Sequence, residues 1–441
     1  MRKCVISSPV ATQSGYGHHA REFISHIIEQ KDKEWNIKLL SMPWGNTPFT
    51  YPVPREWQNK FIPLPLNEQP DIWVQITVPN EFQKVGKYNI GVTAGTEGDI
   101  GPKDWIECIN RMDVIVVPSN FTKQTFINTA EKHKLQITTN IQVISEYFDK
   151  NIYKPVKEES LKILDTIHEQ FCYLFVGHWL QGHLGEDRKN ISGLINVFFE
   201  TFKNKSNIPA LIVKTGGATY SITDKYEIEH KINQIRALYP KQAKLPNVYL
   251  LHGDLTDDEM NLLYNHKKVK AMVSFTKAEG FGRPLLEFST TGKPIIAPHY
   301  SGQADFLQKD NIISLAGGLT TIHGTAQNPF LIAEAKWFTP DYGFAKKALK
   351  QVHKQYNKFL PNSRKQKKFV LENFDRNAIK QKYTELLKII DKGTEHIPNI
   401  AKLQLPKLSL PKIDKIKSNK SSFPKLTDSN TTIKLPKLNK V

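Results

Sequence analysis

Two glutamates eight positions apart, Glu279 and Glu287, bracket a glycine turn in the stretch Ala278-Glu279-Gly280-Phe281-Gly282-Arg283-Pro284-Leu285-Leu286-Glu287. An ionised carboxylate only accepts hydrogen bonds, so two of them in one place suit a ligand rich in hydroxyl groups. Gly280 and Gly282 let the backbone approach such a ligand closely, and a helix opening at Pro284 offers unpaired N–H groups to an anion. A sugar nucleotide meets both conditions, with one carboxylate for the sugar hydroxyls and the other for the ribose. Taken without context, the same two residues read more simply as loop and helix charges on a surface.

The chemistry depends on what holds the pair in place. Val273-Ser274-Phe275 ends an apolar strand pattern, Lys277–Arg283 reads as a loop, and Pro284–Thr290 reads as the first turns of a helix with proline near its start. Glu279 then lies at the carboxyl end of a strand and Glu287 one to two turns into a helix, both able to face one cleft. Elsewhere short apolar runs alternate with helical periodicity. Cys4–Ser8, Ile37–Leu40, Ile72–Ile76, Asn89–Thr93 and Val114–Val117 form one series, with Gly15-Tyr16-Gly17 and a helical run His19–Glu29 after the first strand. A fresh series starts at 171–176 and continues through the helix Ile191–Phe202 and strands Ala210–Lys214, Val248–Leu251, Ala271–Phe275 and Pro294–Ala297. Such alternation predicts an α/β chain with two Rossmann-like, doubly wound parallel-sheet domains facing a central cleft. The expected division is a first domain over 1–160, a second over 161–345, terminal helices over 346–395, and a Pro/Lys-rich tail over 396–441.

At 441 residues the chain exceeds one ordinary domain, and 39% hydrophobic residues suffice for real cores. No apolar run is long enough to span a bilayer and the N-terminus runs straight into a strand pattern, which predicts a cytoplasmic protein. Cys4, Cys108 and Cys172 are odd in number and lack metal-binding spacing, so they read as buried thiols rather than a disulfide framework or zinc site. The net charge of +18 is uneven: residues 401–441 hold ten lysines against Asp414 and Asp428. Units such as Leu405-Pro406-Lys407-Leu408 and Leu435-Pro436-Lys437-Leu438 recur there, and proline in each prevents a continuous helix. The tail is expected to be extended, basic and disordered. It is either a solvated segment without a fixed partner or an anchor to an anionic membrane or nucleic acid, the membrane case placing the protein peripherally at the inner membrane surface.

With these elements in order, the chain resembles the retaining GT-B glycosyltransferases of family 4, the glycosyl transferases group 1, over roughly residues 1–392. Glu279 and Glu287 match that family's Glu-x7-Glu motif. Val143–Asp149 with Tyr153-Lys154-Pro155, Phe175-Val176-Gly177-His178, Asp187-Arg188-Lys189-Asn190, Leu251–Leu255, Gly292–Ala297, Ser301–Phe306 and Asn373-Phe374-Asp375 are similar to further family segments in the same order. The resemblance implies a hexosyltransferase-like enzyme that moves a sugar from a nucleotide-diphosphate donor to an acceptor hydroxyl, retaining the anomeric configuration. It implies no cofactor and no metal, because Arg188 and Lys189 would hold the donor diphosphate and stabilise the leaving nucleotide. Glu279 would bind the transferred sugar, the backbone of Gly280, Phe281, Gly282 and Arg283 would close around sugar and phosphate, and Glu287 would bond the ribose. Gly15, Gly17, Gly177 and His178 would complete the donor site. Many relatives carry arginine where this chain has His178, and a histidine where it has Val92–Asp99; Thr93, Thr96 or Glu97 would then line the acceptor side. An epimerase or phosphorylase of the same fold, or a non-catalytic protein working through its basic tail, are the alternatives. The acceptor is left open between a glycan, a lipid-linked carrier and nucleic acid, the basic composition suiting phosphate-rich molecules.

Overall fold

The computed structural model describes residues 1–156, 160–217, 220–397 and 438–440, the last three as backbone. In its first part the apolar runs become β1 (Arg2–Ser8), β2 (Trp35–Ser41), β3 (Ile72–Ile76), β4 (Tyr88–Val92), β5 (Val114–Val117) and β6 (Asn140–Val143). All pair in parallel, in the order β2-β1-β3-β4-β5-β6. Val114-Ile115-Val116-Val117 is buried throughout, as expected of a central parallel strand covered on both faces. Helices α1 (Gly15–Lys31), α2 (Trp105–Asn110) and α3 (Asn120–His133) connect these strands.

The second part repeats the plan with β7 (Cys172–Val176), β8 (Ala210–Lys214), β9 (Val248–Leu251), β10 (Val269–Val273), β11 (Ile295–Ala297) and β12 (Ile313–Ser314). A hairpin of β13 (Gly317–Thr321) and β14 (Lys336–Pro340) follows, and β15 (Leu438–Lys440) lies antiparallel on the free edge of β9. Helices α4 (Ile191–Phe202), α5 (Ile222–Ala237), α6 (Asp257–Asn265) and α7 (Arg283–Ser289) flank this sheet. Beyond the hairpin run α8 (Tyr342–Lys354), α9 (Tyr356–Asn373) and α10 (Arg376–Thr394). The sheet order β12-β11-β10-β7-β8-β9 makes this the second doubly wound half of an α/β molecule.

Each sheet reverses its winding beside its first strand, between β1 and β3 and between β7 and β10. Ligands of such sheets bind outside the carboxyl ends of the strands at these reversals. Those ends carry the segment after β1 that leads into α1, Gly177-His178 after β7, and the glutamate loop after β10. The two halves are packed as one body. A single apolar cluster runs from Val92 and Phe23 through Tyr147, Phe148 and Tyr153 to Tyr264, Phe281 and Phe374. Helix α10 lies against α1, where Arg376 and Lys380 pair with Glu29 at 2.8 and 2.7 Å.

Two sequence expectations need adjustment. Gly15 and Gly17 do not form a turn before a helix starting at His19; they are the first residues of α1, because Ser14 caps it by accepting the Gly17 N–H at 2.9 Å. The expected disordered tail over 396–441 lies outside the described residues, apart from the end of the body at 396–397 and β15. All three cysteines are buried thiols. Among the described residues no helix is long and apolar enough to cross a membrane.

Candidate active site

Between the two sheets lies a cavity of about 660 Å³ whose walls carry Gly15, Gly177, His178, Arg188, Lys189, Glu279, Gly280, Phe281, Gly282, Arg283 and Glu287. Eleven of the twelve donor-site candidates named from the sequence thus share one wall system. Gly17 is the exception. A Cβ there would come within 2.2 Å of the Thr12 carbonyl oxygen, so the glycine serves the packing of α1 on the preceding turn rather than the cleft.

At the centre, the Lys189 ammonium bonds both oxygens of Glu279 at 2.6 and 2.7 Å, and Arg188 Nη1 reaches Oε2 at 3.2 Å. Thr276 donates its hydroxyl to Oε1 at 2.7 Å, and the Glu279 N–H is held by Ser301 Oγ at 2.9 Å. Burial alone would push this carboxyl up, but Lys189 and then Arg188 outweigh it and hold its pKa at about 2. Glu279 is therefore a permanent acceptor. Arg188 Nη1 also donates to the Ala278 carbonyl at 2.9 Å, and Nη2 lies 3.3 Å from Glu97 Oε1 of the first half. An ammonium has three donors and a guanidinium five, so both cations keep N–H groups for another anion.

Glu287 sits in a drier corner. Tyr264 donates to its Oε2 at 3.0 Å and Arg283 Nη1 stands 3.6 Å from Oε1. Here burial dominates, with Arg283 opposing it, and the pKa rises to about 7. The Arg283 side chain does not turn to the cavity's centre. It bonds Glu146 Oε2 at 3.1 Å, the Tyr147 carbonyl at 3.1 Å and Glu22, all from the first half. Phe281 packs on Phe306 with ring centroids 5.1 Å apart and contributes a buried side chain. Gly282 precedes α7 with φ +102°, a left-handed conformation that glycine adopts without penalty. Gly280 meets the first half directly: Ser119 Oγ donates to its carbonyl at 2.7 Å, and a Cβ would lie 3.1 Å from Ala94.

His178 presents an imidazole, not a cation. Burial and then the neighbouring positive side chains lower its pKa, partly opposed by the Gly217 carbonyl 2.9 Å from Nδ1. A carbonyl only accepts, so Nδ1 carries the proton and Nε2 is left as an acceptor. Asp224 fixes this arrangement by taking the Gly217 N–H at 2.7 and 2.8 Å while bonding His252 at 2.7 Å.

The structure adds cleft residues that the sequence did not single out. Lys214, at the carboxyl end of β8, donates to the Gly253 carbonyl at 2.8 Å and lies over the Tyr220 ring at 4.8 Å. Burial lowers its pKa to about 8 despite Asp254. A lysine ending the otherwise apolar run Ala210-Leu211-Ile212-Val213 was the available signal. From the first half come Trp44 and Tyr16, and from the loop between β13 and β14 come Ala326, Asn328, Phe330 and Leu331. That loop is tied across the cleft by Thr96 Oγ1 donating to the Phe330 carbonyl at 2.7 Å, and β14 by the Asp99 N–H donating to the Lys336 carbonyl at 2.9 Å. Of the acceptor-side candidates, Glu97 lines the cavity, while Thr93 and Thr96 are buried behind it.

No protein-family model matches this chain, and no curated protein matches it in sequence. Its backbone nevertheless superposes on solved structures over most of its length. Sucrose-phosphate synthase from Thermosynechococcus elongatus shares 11% identity at a TM-score of 0.58, over 89% of this chain and 100% of that one. HepE from Anabaena, solved with UDP and glucose, shares 13% at 0.57 over 88% and 100%. A glycosyltransferase from Rickettsia africae shares 14% at 0.58 over 89% and 99%. The chain has the GT-B fold. At this identity the likeness speaks for the backbone alone, and the chemistry of the GT-B cleft rests on its own side chains.

Proposed function

We propose that the protein is a retaining glycosyltransferase of family 4 type that moves a sugar from a nucleoside-diphosphate donor to an acceptor hydroxyl without a metal. The observation that carries this reading is the meeting of Arg188, Lys189 and Glu279 in a cavity between two Rossmann-like halves, with Glu287 in the same wall. Fixed positive charge beside a permanently ionised acceptor suits the two ends of the scissile bond. The cations stabilise the diphosphate as negative charge develops on it, in a site shielded from water. Glu279 receives hydroxyls of the transferred sugar, and Glu287, beside Tyr264, receives those of the ribose.

The acceptor oxygen approaches the anomeric carbon from the face the diphosphate leaves, and the departing phosphate oxygen takes its proton. In this division the half built on β1–β6 supplies the acceptor side and the half built on β7–β12 holds the donor. UDP-glucose is the first donor to test, given the ligands of HepE. A panel of UDP-, GDP- and ADP-sugars, read first by thermal shift and then by transfer of labelled sugar, identifies the donor. Lys189→Ala is expected to lower kcat by about 10²–10³-fold, the usual loss on removing one charge-stabilising donor. Glu279→Ala is expected to abolish transfer while nucleotide alone still binds. Activity surviving both substitutions overturns the proposal, and interconversion of donor sugars without a new glycosidic bond replaces it with an epimerase.

A further inference from the structure

The cleft's charge is divided by half. Among the described residues, the lysines and arginines that line it, Arg188, Lys189, Lys214 and Arg283, all come from the second half. Among the described residues that line it from the first half, there is no lysine or arginine, and the charged side chains are Glu97 and Glu146. Burial lowers the imidazole pKa of both His18 and His19 on that wall, opposed at His19 by Glu146 at 3.8 Å. Glu97 is paired with Arg188 at 3.3 Å and Glu146 with Arg283 at 3.1 Å, so once a donor diphosphate occupies Arg188 and Lys189 the described part of the first-half wall offers an acceptor no cation of its own. A phosphate-bearing acceptor would find no counter-charge on that wall, against the expectation raised by the chain's overall basicity.

The same wall carries an aromatic platform. The Trp44 ring stacks on Tyr16 with centroids 4.1 Å apart and planes 25° from parallel. Tyr16 is itself fixed, its hydroxyl accepting the Ala94 N–H at 3.0 Å and bonding Thr93 Oγ1 at 3.0 Å. Trp44 is therefore backed by a ring that cannot move freely, and both rings line the cavity. A rigid aromatic surface binds a flat apolar partner at little entropic cost. Lining the same cavity, the Glu97 side chain is 29% exposed and Gln13 adds an amide that both donates and accepts. Aromatic face plus flanking hydrogen-bonding groups, without positive charge, matches a sugar ring with its C–H face and its hydroxyl rim.

Building on the transferase reading, we propose that the acceptor is a neutral carbohydrate whose ring rests on Trp44 and whose hydroxyls are held by Glu97 and Gln13. The hydroxyl oxygen of that sugar bonds to the donor's anomeric carbon as the bond from that carbon to the diphosphate oxygen breaks, so the product is a glycoside and the nucleoside diphosphate.

The test uses the full chain with the donor found in the panel, offered neutral methyl glycosides and disaccharides in parallel with sugar phosphates, polyprenyl-phosphate-linked sugars and oligonucleotides. Transfer to neutral sugars is expected, with Trp44→Ala raising the acceptor KM about tenfold, equivalent to roughly 1.4 kcal/mol, and Trp44→Phe restoring most of it. The donor KM is expected to stay within about twofold in both variants. Quenching of the wild-type tryptophan fluorescence by the accepted sugar gives a second readout should Trp44→Ala fold poorly. Donor turnover that serves only phosphate-bearing acceptors, or neutral transfer indifferent to Trp44, overturns the inference and leaves the transferase reading standing. Absence of any nucleotide-sugar binding or turnover overturns both.

Discussion

Two carboxylates of one loop-helix segment are driven in opposite directions by their neighbours, and their roles follow from that. Glu279, beside Lys189 and Arg188, stays ionised across the useful pH range, whereas Glu287 titrates near 7 because burial outweighs Arg283. If the ribose is held by ionised Glu287, nucleotide affinity must weaken as pH falls from about 8 to 6, where this carboxyl gains its proton. Calorimetric titration with the donor's nucleoside diphosphate is expected to show that fall in wild type and a flat profile in Glu287→Gln. Glu22, raised to about 8 by burial and also bonded to Arg283, is the competing source; Glu22→Gln is expected to keep the slope. The glutamate pair could be found in the sequence because its types and spacing are local, and Arg188-Lys189 through the family resemblance of the segments around them. Glu22 and Glu146 could not, since each acquires meaning from Arg283, 261 and 137 positions away; Glu97 was legible only as an acceptor-side candidate, its pairing with Arg188 lying 91 positions off.

Strands were the most legible elements, because a buried parallel strand is an apolar run wherever it occurs: Ile72–Ile76, Val114–Val117, Ala210–Lys214 and Val248–Leu251 have the bounds the sequence suggests. The hairpin β13–β14 escaped because Gly317–Thr321 is exposed at every position and shows no hydrophobic alternation. The start of α1 was misplaced because its glycines suggested a turn, while Ser14 caps a helix that contains them. These glycines now part company. Gly17→Ala drives a Cβ against the Thr12 carbonyl, which is backbone held in its own turn by the Thr12 N–H on Pro9 at 3.0 Å. Something in the turn must shift, at a cost of about 1–3 kcal/mol. A methyl group added at Gly15 would meet nothing within 4 Å, so Gly15→Ala is expected to unfold within about 0.5 kcal/mol of wild type. Urea denaturation of both variants checks this; equal midpoints would mean that the Pro9–Thr12 turn yields freely.

For the molecule as a whole, the alternation of strands and helices announced two halves but not how they are joined. Arg283 is a main joint: it leaves α7 of the second half and is surrounded by Glu22 of α1, Glu146 and the Tyr147 carbonyl of the first, with Glu287 at 3.6 Å. One buried cation thus offsets several buried acids, and Asp257, whose pKa burial also raises, lies close enough to be felt by Glu287. Removing one partner of a buried ion pair typically costs about 3–5 kcal/mol, since the remaining charge is left uncompensated. Arg283→Met is expected to lose stability of that order near pH 8. The sign with pH is fixed by linkage: without the arginine Glu22 and Glu287 have folded-state pKa values raised further above their unfolded ones. A raised acid contributes stability that is whole below its unfolded pKa and lost as pH climbs through the folded value. The deficit against wild type should therefore shrink between pH 8 and 5 as Glu22 and Glu287 take up protons. Adding Glu22→Gln and Glu146→Gln to Arg283→Met should recover much of it at pH 8, because the uncompensated charges are gone. Denaturant midpoints across that pH range measure both effects, and a deficit that is constant with pH and untouched by the glutamine changes would show that Arg283 joins the halves by packing rather than by charge.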